Sequence, residues 1–301
     1  MALGSNQQTI TTGDVFLPEV WSRETQRATE AALVLTNLVT RMDEDVADGG
    51  DKIHRPKVSN ITAYAKAANT QVTLNAPTES EFTMNIDRHF ESSYLVEDRL
   101  KVQSKYDILD QYSGKAGYAI GQKMDSDLAG LYTSLTQSVG NSTTDLAISS
   151  IARGLQFLDD ANAPQSERVL VIKPAGLNHF RNIGEFMRYD ATGRMPGALV
   201  SGGLPTRDGV VEQIGKNGFV GRIFNLDVYM TTNLVEEAGT SDVVHNLMFH
   251  KEAFAMAVQL KPRMQFQYKQ EYLGTLATTD ALWGYGVYRS EFAVDVRSDD
   301  E

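Results

Sequence analysis

Five histidines, His54, His89, His179, His245 and His250, are the side chains of this 301-residue chain best suited to acid–base or metal chemistry. No two stand four apart on a helix around a central glutamate, as a zinc protease requires, so each reads as a surface or strand histidine rather than a ligand. The acidic run MDEDVADGGD places Asp43, Asp45 and Asp48 at intervals suggestive of a calcium loop. Counted from Asp43, however, an EF-hand needs glycine where Asp48 stands and glutamate where His54 stands, so the run reads as a solvated turn. Gly215, Gly218 and Gly221 form GKNGFVG, which lacks the GxGxxG order and opens into a strand, so no phosphate cradle at a helix N-terminus is expected. Neither a Walker lysine followed by Ser or Thr nor a GxSxG elbow occurs. Asp125 and Asp127, two apart on a helix, diverge and read as parts of solvated faces. An enzyme with a motif-free pocket stands as one alternative, but no catalytic, cofactor-binding or metal-binding residue is assigned.

Composition narrows the classes further. Acidic residues number 39 against 28 basic, and the net charge of −11 argues against a surface built to grip a phosphate backbone. With no cysteine, neither disulfides nor thiolate metal sites exist, so rigidity must come from packing or assembly. No apolar run approaches a membrane span, and MALGSNQQTITTGD carries no signal pattern, so no membrane partner and a cytoplasmic place of work are expected. At 42% hydrophobic residues the chain can bury a real core.

The elements that must position any site are organised around the stretch from Tyr106 to Gln137. Apolar residues recur there at three-to-four spacing, predicting an uninterrupted helix of about 45 Å, long enough to serve as a spine. Gly114, Gly117, Gly121 and Gly130 lie inside it and predict a strand or ribbon crossing closely, at Gly117 or Gly121 in particular; a kinked or broken helix is the alternative. Before it, residues 1–14 read as an arm, Pro18–Met42 as a first helix carrying Trp21, and Lys52–Val96 as a long two-stranded excursion needing support from its own domain or a neighbour. After it, TDLAISSIARGLQFLDDANAP, SERVLVIKP and AGLNHFRNIGEFMRY alternate as helix, strand and helix. A glycine-rich loop from Gly193 to Gly221 feeds FVGRIFNLDVYMTT, a strand with a turn at Asn225–Asp227, and HNLMFHKEAFAMAVQ gives a strand and a short apolar segment. The closing residues predict two long strands, Met264–Tyr272 and Leu282–Val296, which rejoin the long helix and make the α/β block an insertion. Arm, ribbon and rod together suggest a protein completed by its neighbours; a monomer with long loops is the plainer alternative.

This order of elements resembles the major capsid proteins of tailed bacteriophages. RHFESSYLVEDRLKVQSKYDILDQYSGKAGYAIGQKMDSDLAGLY is similar to coat proteins in which an aromatic strand and an acidic turn precede a helix ending in D-x-x-L-A; RVLVIKPAGLNHFRN and YGVYRSEFAVDV resemble an inserted-domain signature and the closing strand. The resemblance spans about residues 15–297 and implies an α+β phage capsid fold: 1–50 an N-terminal arm and first helix, 51–90 an extended β-loop, 91–143 a peripheral domain with its spine helix and β-sheet, 144–259 an α/β axial domain, and 260–301 the return strands. It implies hexamers and pentamers of the chain itself in an icosahedral virion shell around double-stranded DNA, assembled in a bacterial cytoplasm, with the β-loop laid over a neighbour. A portal and decoration proteins are further implied partners. Because only some fourteen residues precede the first helix, a separate scaffolding protein is expected. Lys66 is the loop lysine that an isopeptide cross-link would use, but no partner asparagine with a neighbouring glutamate is identifiable, so none is assigned. An encapsulin-like nanocompartment on the same fold is the alternative function.

Overall fold

A computed structural model describes residues 33–59, 61–77, 79–104, 108–141, 144–182, 218–237 and 243–299. The expected arm, Trp21 and the glycine-rich stretch from Gly193 to Gly215 lie outside them. In chain order the elements are α1 (Leu35–Leu38), β1 (Thr40–Arg41), β2 (Lys52–Lys57), β3 (Ser80–Asn85), β4 (Arg88–Glu97), α2 (Asp98–Gln103), α3 (Ile108–Ala129), β5 (Ser138–Gly140), α4 (Ile148–Asp160), β6 (Arg168–Ile172), α5 (Pro174–Asn182), β7 (Phe219–Ile223), β8 (Leu226–Met230), β9 (Glu236–Glu237), β10 (Val243–His250), β11 (Phe254–Lys269), β12 (Gly274–Val287) and β13 (Ala293–Asp299).

Several boundaries differ from the periodicity. The first helix does not reach Met42: the backbone turns extended at Val39, and Thr40–Arg41 pair parallel with Ala255–Met256, a ladder that β-branched residues suit better than a helix. The spine ends at Ala129, so its 22 residues span about 33 Å rather than 45 Å. Gly130 begins a 3-10 turn through Ser134, and the Thr133 hydroxyl donates back to the Gly130 carbonyl, competing with continuation of the helix. The turn after β7 falls at Phe224–Asn225, both with positive φ, as a two-residue hairpin requires.

Two sheets organise the rest. The first has strand order β1-β11-β12-β4; the second is seven-stranded, running β5-β13-β10-β6-β8-β7 with β9 on β10. The expected strand Leu282–Val296 is in fact two: a 3-10 turn at Ser290–Phe292 separates β12 from β13, and β13 pairs with β10 in the second sheet rather than returning to the long helix. The short apolar segment expected after His250 is the start of β11, reached through a matching turn at Lys251–Ala253. The two crossovers lie side by side, because Tyr288 and Arg289 both donate their N–H to the Ala253 carbonyl, at 2.8 and 3.1 Å. Phe249 and Phe254, edge to face at 4.9 Å, carry one core across the junction. In β6 all five residues are buried, as expected of a strand in mid-sheet, and α4 turns Ile151, Gly154 and Leu158 inward.

In the first sheet the two faces differ in size of residue. Phe254, Met256, Val258 and Trp283 belong to the main core with Ile120, Met124 and Leu128 of α3, each large buried side chain contributing about 2 kcal/mol. Their neighbours Ala255 and Ala257, opposite Gly286 and Gly284, make a floor of small residues on the other face. Ile53, Met84 and Ile86 from the β2–β3 ribbon are buried against that floor with Phe82 beside them. A side chain on Gly284 would strike the Asn85 carbonyl and stand 3.1 Å from Ile86 Cα, so the ribbon root crosses the sheet on bare backbone.

The close crossing is therefore on β12 and not on the spine. Among the described residues nothing lies within 4 Å of where a side chain on Gly114, Gly117 or Gly130 would begin, and at Gly121 the neighbour is the flexible tip of Leu33. In urea unfolding, Gly284→Val is expected to cost about 3 kcal/mol or more, whereas Gly117→Ala, on an exposed helical site, should gain about 0.5–1 kcal/mol. Equal midpoints for Gly284→Val and the parent would remove the close-crossing argument.

Candidate assembly surfaces

The residues with chemical potential serve the fold. His54 and His89 are exposed; His179, His245 and His250 are buried. His179 Nδ1 accepts the Leu146 N–H at 3.0 Å. His250 Nδ1 accepts the Glu252 N–H and so caps the crossover turn, and burial lowers its pKa, which keeps that nitrogen free to accept. His245 Nδ1 stands 3.0 Å from Asp295, which Arg297 also binds at 2.9 Å. Although a histidine–aspartate pair suggests a base, Tyr132 stacks on the imidazole with ring centroids 3.9 Å apart. His245 Nε2 has no hydrogen-bond partner among the described residues. The Tyr132 hydroxyl donates to Glu237 at 2.6 Å, which raises the phenol to about 12, so it carries no activated oxygen. Among the described residues no three His, Cys, Asp or Glu side chains converge as a metal site, and no helix is long and apolar enough to cross a membrane.

Asp125 and Asp127 are not on solvated faces. Asp127 is buried with Lys123 at 2.7 Å, and Asp125 is fully buried. Its carboxylate accepts the Val34 and Thr36 N–H groups at 2.7 and 2.9 Å and the Thr36 hydroxyl at 2.5 Å. It thus caps α1 from a distant helix, satisfying donors that α1 leaves unpaired. The acidic turn likewise ties elements together. Asp43 accepts the Val258 N–H at 2.8 Å just where β1 stops pairing with β11, and Asp45 binds Arg55 of the ribbon.

What remains unsatisfied is surface. Between β2 and β3, residues 58–77 contain one charged side chain, Lys66, and expose Val58, Ile61, Tyr64, Val72 and Leu74, the last at 82%. Hydrogen bonds within this loop are local: Asn75 to the Thr62 carbonyl, and Lys66 and Thr70 to the Ala67 carbonyl, each at 2.9 Å. A second apolar surface caps the far end of the first sheet, where Leu95, Leu100, Val102, Phe266, Tyr272 and Leu273 are exposed. That end is ordered, because Tyr268 donates to Asp98 at 2.6 Å and the Asp98 N–H to Leu273 at 2.9 Å. On the sheet's ribbon-side face, Arg263 and His89 bond to Asp280 and hold its carboxyl below the usual range. Exposed apolar groups in such number on ordered elements mark contact surfaces.

No family model matches the chain, and no curated protein does. Among solved structures it is similar to one from Mycobacterium phage Che8, with 23% identity, a TM-score of 0.76, and coverage of 93% of this chain and 97% of that one. The capsid structure of cyanophage P-SCSP1u matches at 20% identity and TM-score 0.74, covering 98% and 96%. The mature capsid of bacteriophage PhiM1 matches at 10% and 0.70, covering 93% and 91%. The chain has the α+β fold of these phage capsid structures along nearly its whole length.

Of the buried polar groups, Asp125 has the largest expected effect. Asp125→Ala strands two backbone donors and should lower unfolding free energy by about 3 kcal/mol, with Asp125→Asn, which keeps one acceptor, falling between. Chemical denaturation with circular dichroism reads this directly; a loss in Asp125→Ala no larger than that of an exposed control such as Asp48→Ala would contradict the capping role.

Proposed function

We propose that this chain is the major capsid protein of a tailed bacteriophage, assembling as hexamers and pentamers into the icosahedral head shell that encloses packaged double-stranded DNA. The observation that carries the reading is whole-chain likeness to capsid structures: a cyanophage capsid chain is covered to 96% of its length by 98% of this one. The exposed, nearly uncharged loop 58–77 supports it, since a lone subunit gains nothing from holding Val72 and Leu74 in water. The work is binding, with no chemical step.

On this reading the sheet β1-β11-β12-β4 with α3 is the peripheral domain, and the seven-stranded sheet is the axial domain around each capsomer axis. β11 from Phe254 then goes with the former and β13 with the latter, a shift from the sequence boundaries at 259 and 260. The ribbon with its loop lies over a neighbouring subunit; the arm and first helix expected over residues 1–50 fall for the most part outside the described residues. The net charge of −11 suits a lining that holds DNA loosely. A separate scaffolding protein, a portal and decoration proteins are its expected partners, the host cytoplasm its place of assembly and the virion its destination. Lys66, exposed on the loop and hydrogen-bonded to Ala67 and Thr70 of its own turn, is given no cross-linking role.

Sizing chromatography and negative-stain imaging of the purified protein, expressed alone and with its scaffold, test the proposal. Closed shells or capsomers are the expected result; a monodisperse monomer at every salt and protein concentration, with no particles alongside the scaffold, would overturn it.

A further inference from the structure

β11 is 16 residues long, but β1 pairs with it only at Ala255 and Met256. Asp43 takes the Val258 N–H, and beyond that point no described strand lies on that side of β11. Met264 to Lys269 therefore present an open strand edge. An open edge is a template for another strand, and Lys261, Pro262 and the register shifts between Val258 and Arg263 keep casual pairing away from its near half only. The far half has no proline or register shift and its one charged residue, Lys269, stands at its end; Met264, Phe266 and Tyr268 alternate with Gln265 and Gln267 along it.

A segment with the alternation of a strand but no described partner strand is present in the same chain. Gln71-Val72-Thr73-Leu74-Asn75 alternates polar and apolar residues rich in strand formers, yet it pairs with no described strand and holds Val72 and Leu74 62% and 82% exposed. Five residues of strand, about 17 Å, match the five residues Met264–Tyr268. The segment carries no charge, so nothing in it repels Lys261 or Lys269 beside the edge. Strand and edge coexist in one chain without pairing, so the occupant that satisfies both is a second copy.

We propose that Gln71–Asn75 of one subunit adds as an edge strand to Met264–Tyr268 of β11 in a neighbouring subunit, with main-chain hydrogen bonds supplying the hold and Val72 and Leu74 packing toward Phe266 and Tyr268. This rests on the shell reading above and specifies where the loop docks. Hydrogen exchange on wild-type protein, comparing free subunits with assembled shells, should show amides 264–268 slowed about tenfold or more in the shell. The cysteine-free background allows a second readout: chains carrying Leu74→Cys, co-assembled in turn with chains carrying Gln265→Cys, Phe266→Cys or Gln267→Cys, should form disulfide-linked dimers in at least one pairing and none with Phe224→Cys on the second sheet. Shells with unchanged exchange at 264–268 would overturn the inference while leaving the capsid reading intact. Slowed exchange without any cross-link from position 74 would overturn it by giving the edge to another segment. If wild-type protein forms no shell at all, the failure belongs to the capsid reading, and this inference falls with it.

Discussion

The contact on which the rest depends is the passage of the Asn85–Ile86 backbone over Gly284. A ribbon of two six-residue strands has no core of its own and would be marginal in water. It is held because the sheet below is paved with Ala255, Ala257, Gly284 and Gly286, letting Ile53, Met84 and Ile86 sink onto it. The opposite face of the same two strands carries Phe254, Met256 and Trp283 into the main core. One pair of strands therefore supports a helix on one side with large residues and a ribbon on the other with small ones, and the loop is presented outward from a fixed base.

A second constraint joins the two sheets. The crossovers at Lys251–Ala253 and Ser290–Phe292 are tied through the Ala253 carbonyl, which accepts from Tyr288 and Arg289, so the β10–β11 and β12–β13 connections are joined to each other. His250 caps one of these turns and Phe249–Phe254 packing bridges them. Asp125 adds a tie from the spine to the segment before β1, and Asp43 one from the acidic turn to β11. The buried charged and titratable groups that first suggest chemistry, Asp125 and His250 among them, are thus spent on joints between elements.

Much of this was legible in the residues. The helix-strand-helix order of the inserted block, the ribbon and the spine follow from periodicity and turn chemistry, and resemblance supplied the fold that whole-chain likeness to phage capsid structures then bore out. The misreadings have physical causes. Alternation alone continues smoothly from Leu282 to Val296, and nothing local announces that Ser290–Phe292 breaks the strand, because the partner that claims β13 is β10, some fifty residues away. Asp125 looks solvated by helix spacing, since its partners lie 89 and 91 residues earlier. The glycines of the spine are conspicuous by number, whereas the informative signal is the strict large–small alternation of FAMAV and WGYGV, which announces a strand with different loads on its two faces.

Hydrogen exchange of the isolated wild-type subunit, read by amide, is the most direct check on the seated ribbon. If the small-residue floor holds it, amides of 53–56 and 81–85 exchange as slowly as those of β12, while 58–77 exchange at rates near those of an unstructured chain. A ribbon that exchanges as fast as its loop would mean that Gly284 and its neighbours seat nothing, and the account of how this subunit presents its contact surface would be wrong.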